Sequence, residues 1–239
     1  MSVMRLDKFL TLAGGYTRSE AKKLLRSGLL TVNGAVEKRP ECKIDTEQDE
    51  IKQNGSRMTW EPFVALMFHK PAGCVTATSD RFQKTVMDYI THERKEELFP
   101  VGRLDIDTEG LLILMNDGDL AHRMLSPKRH VEKTYFVRTQ GQVTQEDAEA
   151  FEKGVDIGEK NLTLPAELVI RKSDDVSECE LTICEGKFHQ VKRMFAARGK
   201  QVCYLKRISM AGICLDPDLE PGAWRKLTQD EIERLRQSC

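Results

Sequence analysis

The sequence predicts an α+β protein, in which a small N-terminal α/β module precedes a larger unit built on a mainly antiparallel sheet flanked by helices. Three observations carry that expectation. Two short amphipathic helix patterns and a hairpin crowd into the first 37 residues; beyond residue 62, strand-like runs outnumber helical ones; and several of those runs follow one another directly, as antiparallel neighbours do. At 239 residues, 40% of them hydrophobic and 31% charged, with eight prolines, the chain has room and apolar surface for two cores.

In the module, Leu6, Phe9, Leu10 and Ala13 recur at helical spacing, so residues 4–13 are expected as a helix stopped by Gly14 and Gly15. Thr17 with Glu20 three residues on is a capping box for a second helix, whose apolar face is Ala21, Leu24 and Leu25 and whose end is Gly28. Arg18, Lys22 and Arg26 repeat every four residues and make a basic stripe along that helix. Asn33-Gly34 supplies the two positive-φ positions of a tight turn, so residues 29–32 and 35–37 are expected to pair as a hairpin. The polar, acidic stretch 45–55, with Asn54-Gly55, reads as linker. The expected division is a module over 1–50, a linker over 51–62 and a second unit over 63–239.

The second unit opens with an apolar run over 63–68, read as a buried strand, and a His69-Lys70-Pro71-Ala72-Gly73 turn. Further strands are expected over 111–115 and near 133–139, 165–171, 178–184 and 201–208. Helices are expected over 118–125, 144–153 and 188–198, the last stopped by Gly199. Thr228 and Glu231 form another capping box, opening a C-terminal helix.

A formal net charge of −1 conceals three basic stretches. Residues 1–40 hold eight Lys or Arg against three acids, 122–138 hold five against one, and 187–207 hold seven against none. Each stretch alone is equally well a solvated face; three of them favour a phosphate-binding surface and a nucleic-acid partner. The N-terminus lacks the apolar stretch of a signal sequence, and no run approaches a membrane span, so a cytoplasmic protein without a membrane partner is expected. Seven cysteines without a C-x-x-C pair fit reduced thiols. There is no glycine-rich phosphate loop, dinucleotide fingerprint or metal-ligand spacing, and no metal or cofactor is expected.

Residues 102–110, Gly-Arg-Leu-Asp-Ile-Asp-Thr-Glu-Gly, place Arg103 among Asp105, Asp107 and Glu109 between two strand readings. On composition alone this is a surface turn, a metal site or a hydrolytic carboxylate pair. An assembly factor that binds RNA and does no chemistry fits the charge pattern equally well.

The order R-L-D-K-F-L, T-R-S-E-A and V-N-G over residues 3–50 resembles the S4-like RNA-binding domain. The H-K-P-A-G turn, G-R-L-D-I-D-T, Glu132-Lys133-Thr134-Tyr135 and the run from Glu185 to Met194 are, in that order, similar to the RsuA branch of the pseudouridine synthases. The resemblance spans essentially the whole chain and implies an S4-like module followed by a pseudouridine-synthase catalytic domain. It implies that a uridine of small-subunit (16S) ribosomal RNA is converted to pseudouridine, in free RNA or in an assembly particle, by a monomer that needs no cofactor. It assigns the essential aspartate to Asp105, the stacking ring to Tyr135, the cation beside the aspartate to Lys192, and to Arg103 the role of holding the RNA open. Lys187 and Arg193, with the stripe Arg18, Lys22 and Arg26, are expected to contact RNA.

The chemistry calls for these residue types. The N1–C1′ bond must break, the uracil must turn, C5 must join C1′ and the C5 proton must leave. A carboxylate can begin this by attacking C1′ or C6, or by taking the C2′ proton. A cation at about 4 Å, worth on the order of 4 kcal/mol at an effective dielectric near 20, keeps such a carboxylate ionised. Unstacking the base costs a few kcal/mol, of which an aromatic face returns about 1 to 3.

Overall fold

The computed structural model describes residues 3–238 and divides into two compact units, Met1–Pro62 and Phe63–Cys239. The first unit runs β1 (Val3–Arg5), α1 (Leu6–Gly14), α2 (Arg18–Ser27), β2 (Leu30–Val32), β3 (Ala35–Val36), β4 (Lys43–Asp45), β5 (Ile51–Gln53) and β6 (Ser56–Met58). The Thr17–Glu20 capping box is formed, with the Thr17 amide donating to Glu20 Oε2 at 2.8 Å, and α2 ends at Gly28 in the left-handed region. Asn33 and Gly34 both take positive φ, at 51° and 83°, and turn β2 into β3. Leu6, Phe9 and Leu10 of α1 bury against Ala21 and Leu25 of α2 and against Leu30, Ile44 and Ile51 from the strands.

The linker expected over 51–62 is corrected by the fold. Ile51–Gln53 pairs antiparallel with β2, and Ser56–Met58 pairs with β5 about an Asn54-Gly55 turn, so this stretch completes a four-stranded sheet. Its polarity misled because these strands are only three residues long, β6 lies at the sheet edge, and Ile51 is the one side chain of the two that is fully buried, at 2% exposed.

The second unit contains β7 (Ala65–Lys70), β8 (Phe99–Pro100), β9 (Glu109–Met115), α3 (Gly118–Leu125), β10 (Lys133–Gln140), α4 (Gln145–Lys153), β11 (Glu167–Lys172), β12 (Val176–Ile183), α5 (Gln190–Ala197), β13 (Gln201–Met210), β14 (Ile213–Cys214), β15 (Trp224–Lys226) and α6 (Gln229–Gln237). The main path is β11-β12-β10-β13-β9-β7-β15, with β8 on β9 and β14 on β13. Every pair is antiparallel except β9 with β13. β7 is buried along its whole length and β9 from Gly110 to Met115, because both faces are covered. Leu66, Phe68, Leu112 and Leu114 enter one core with Phe151 of α4 and Met194 and Phe195 of α5; Ala65, Met67, Leu111 and Ile113 enter the other with Leu120 and Met124 of α3 and Leu235 of α6. Among the described residues no helix is long and apolar enough to cross a membrane.

Candidate active site

The loop between β8 and β9 carries Asp105, and two neighbouring segments hold it in shape. The Gly73 amide donates to the Ile106 carbonyl at 2.7 Å. Thr76 Oγ1 donates to the Leu104 carbonyl at 2.8 Å and accepts from the Leu104 amide at 3.2 Å. Lys70, fully buried, donates Nζ to the carbonyls of Thr108 at 2.9 Å and Pro71 at 3.0 Å. Burial pushes the Lys70 ammonium below the usual lysine range. The H-K-P-A-G turn thus clamps the aspartate loop, with a buried charge spent on backbone carbonyls.

From the other side, α5 delivers Lys192. Its Nζ lies 3.1 Å from Asp105 Oδ2 and 2.6 Å from Asp107 Oδ1, while His189 Nε2 lies 3.5 Å from Asp105 Oδ1. Burial alone lowers the Lys192 ammonium, but hydrogen bonds to Asp107 and then Asp105 outweigh it and raise the group above the ordinary lysine value. The same bond from Lys192 holds the Asp107 carboxyl below its usual range, against the opposing effect of burial. The sequence paired Lys192 with Asp105; the structure gives it both carboxylates, the shorter bond going to Asp107. A side-chain network fixes the start of α5: Glu185 Oε1 accepts from Gln190 Nε2 at 2.7 Å, and Gln190 Oε1 accepts from the Lys187 amide at 2.9 Å.

Asp105, Tyr135 and Lys192 line one cavity of about 930 Å³, in the range of small-ligand sites, with Arg103, Lys187, Phe188, Lys133 and Arg207 also in its wall. Tyr135, 8% exposed on β10, belongs to the apolar core and borders this space. Arg103 is exposed at the mouth.

The other expected RNA contacts divide. Arg18, Lys22 and Arg26 are exposed along α2 in the first unit. Lys187 and Arg193 are tied to the protein. Lys187 Nζ donates to the carbonyls of Leu162 at 3.1 Å and Asn161 at 3.3 Å; Arg193 pairs with Glu159 at 2.8 Å and donates to the carbonyls of Phe188 and Ile157. Arg198 and Lys200 both bind Asp147, at 2.9 and 2.8 Å, and Arg207 is buried. Most cations of the basic run 187–207 are therefore tied to acids and carbonyls of the protein itself, although only Arg207 among them is buried. Sequence reasoning singled out neither Lys70, Lys133 nor Arg207 as a site residue: the first two lay inside recognised motifs with no role attached, and the third looked like one more surface cation.

An aspartate loop beside a lysine, opening on a nucleotide-sized cavity with a tyrosine in its wall, fits an RNA-modifying enzyme that works on a single base. The RNA pseudouridylate synthase family model matches residues 64–197 and the S4 domain model residues 4–51, and the chain belongs to the RNA pseudouridylate synthase family. It is 44% identical to the uncharacterised RNA pseudouridine synthase YtzG of Bacillus subtilis, over 98% of this chain and 99% of that one. It is also 44% identical to ribosomal small subunit pseudouridine synthase A of Vibrio vulnificus (97% and 99% covered) and 40% identical to that of Escherichia coli (96% and 98%). A crystal structure of a pseudouridylate synthase, 42% identical and covering 97% of this chain and 99% of its own, superposes with a TM-score of 0.69. The chain is thus an isomerase of the pseudouridine-forming class, with an S4 domain at its N-terminus.

Proposed function

We propose that this enzyme converts one uridine of small-subunit (16S) ribosomal RNA to pseudouridine, acting in the cytoplasm as a monomer on free RNA or on an assembly particle. The relatives named ribosomal small subunit pseudouridine synthase A support the choice of RNA, since similarity to them runs the length of the chain. Asp105 starts the reaction, and the observation that carries this role is its 3.1 Å contact with Lys192 inside the cavity that also holds Tyr135.

In this reading Lys192 keeps Asp105 ionised as the substrate displaces water and the local dielectric falls. The Tyr135 ring takes the extruded uracil on its face, and Arg103 at the mouth fills the space the base has left in the RNA. The α2 stripe Arg18, Lys22 and Arg26 grips phosphates of the RNA. Lys187 and Arg193 act on RNA indirectly, by holding the segment that carries His189 and Lys192. Asp105 then attacks C1′ or C6, or removes the C2′ proton; each route leaves the base in the cavity for C5 to join C1′.

The Asp105→Asn variant tests the assignment. It keeps size and hydrogen bonding but removes the charge, and pseudouridine formation on a 16S transcript, read by chemical mapping, is expected to fall by about 10⁴-fold or more with RNA binding retained. A fully active variant would remove Asp105 from the role.

A further inference from the structure

Two cations in the wall of this cavity take no part in the mechanism above. Lys133 on β10 is 8% exposed and Arg207 on β13 is 1% exposed. The register sets Tyr135 opposite Arg207, and Lys133 precedes Tyr135 by two residues, so all three side chains stand on one face of the sheet. Lys133 Nζ donates to the Val131 carbonyl at 2.8 Å, and Arg207 Nε donates to the Leu111 carbonyl at 2.7 Å. Arg207 Nη2 is buried without a hydrogen-bond partner. Burial pushes the Lys133 ammonium down to about 8, and the Arg207 charge adds to the effect, yet the group stays protonated at neutral pH.

Such a pair is expensive. Two like charges out of water, with no carboxylate paired to either among the described residues, persist only where something else repays them. Several other cations of this unit have acids: Arg198 and Lys200 share Asp147, and Arg225 holds Asp216 and Glu231, while the buried Lys70 is held by backbone carbonyls. Two cations that line a substrate cavity with no acid to neutralise them, one of them holding an unused buried donor, point to an anionic or strongly polar group on the substrate.

We propose that Lys133 and Arg207 stabilise the negative charge that the pyrimidine ring carries while it is detached from the ribose, an inference that rests on the pseudouridine-forming reading of the site. When the N1–C1′ bond breaks, its electron pair stays with the ring, which becomes a uracil anion with charge on N1, O2 and O4. The sugar is held meanwhile as an adduct of Asp105 or as the product of C2′ proton loss. C5 then bonds to C1′ as the Asp105 carboxylate leaves that carbon or, on the other route, as C2′ regains the proton that Asp105 took; the C5 proton leaves and N1 takes one up, so the sum is an isomerisation with no further reactant. Burial decides between the ring and a backbone phosphate as the anion. The extruded base goes deepest, whereas its phosphates stay with the strand at the mouth, where Arg103 is exposed.

The test measures single-turnover loss of the N1-linked nucleoside in full-length protein, on 16S transcripts carrying either uridine or 5-fluorouridine. Fluorine at C5 withdraws electrons and stabilises the ring anion unaided, so it should compensate for a missing cation. Lys133→Met is expected to slow the uridine reaction by about 100-fold, the typical loss for one donor to a developing anion. It should slow the 5-fluorouridine reaction by less than about 10-fold and leave RNA affinity unchanged, and Lys133→Arg should restore most of the rate. Equal losses on the two transcripts, or no loss on either, would overturn the proposal. So would weakened RNA binding with a normal rate at saturation, which would make Lys133 a phosphate contact. If Lys133→Met does not fold, Lys133→Gln is read by the same ratio. Wild-type protein inert on both transcripts would sink the pseudouridine reading and this proposal with it, whereas an active wild type with equal losses overturns this proposal alone.

Discussion

One ammonium stands between two carboxyl groups and does not bond them equally. Lys192 Nζ lies 2.6 Å from Asp107 and 3.1 Å from Asp105, so its shorter bond is not the one to the proposed catalytic aspartate. Asp107, with two thirds of its side chain exposed, takes the shorter bond and fixes where the ammonium stands. Lys133 presents the opposite situation, a charge that the fold disfavours. Its value of about 8 lies below the ordinary 10.5, so between these values the unfolded chain binds more protons than the folded one. The lysine therefore penalises the fold by a constant amount below about pH 8, and stability climbs as pH rises from about 8 to 10.5. Lys133→Met should remove that climb and raise stability at pH 7 by about 3 kcal/mol. Urea midpoints of both proteins at pH 7 and pH 10 check this. A variant no more stable than wild type at pH 7 would mean that the buried ammonium is better solvated than its surroundings indicate. Combined with the slower turnover expected of it, a stabilised variant would show a group kept for chemistry at the expense of the fold.

Among the elements, the contact between β9 and β13 is the joint on which site geometry turns. Gly110 has φ of +108°, and a Cβ there would collide with the Arg207 backbone. The two residues face each other in the one parallel pairing of the sheet, directly after the aspartate loop and beside a buried cavity cation. Gly110→Ala should therefore cost about 3 kcal/mol or more and lower activity further than the unfolded fraction explains, as thermal melts and rates on the same samples would reveal. A melt like that of wild type would mean that the strands separate easily. The sequence made the long elements legible: capping boxes at Thr17 and Thr228 and the apolar runs of β7 and β9 each announce themselves locally. The short strands were not legible, because β5, β6, β8, β14 and β15 are two or three residues long, too short to show a period, and β15 finds its partner β7 far away in the sequence. For the site the same division holds. Asp105, Tyr135 and Lys192 stood in recognisable motifs, whereas the roles of Lys70 and Arg207 depend on which carbonyl or cavity the fold brings to them, and no local pattern records that.

At the scale of the whole molecule, charge is divided between two tasks. The run 187–207 spends most of its cations on internal acids and carbonyls, so the positive charge available to RNA is smaller than the sequence suggests. In the first unit the situation differs: Arg18, Lys22 and Arg26 are exposed along one helix, in a unit with its own core. Binding and chemistry should then be separable by mutation. Reversing all three to Glu touches no buried residue, and it should weaken affinity for the 16S transcript while leaving the single-turnover rate at saturating RNA within about 2-fold of wild type. If the three cations each displace a condensed counterion, the slope of log affinity against log salt should become shallower by about two. Titrations at several salt concentrations, paired with single-turnover rates, separate the outcomes. An unchanged slope would take α2 off the RNA, and a collapse of the saturated rate would mean that the first unit helps to place the uridine rather than merely to hold the strand.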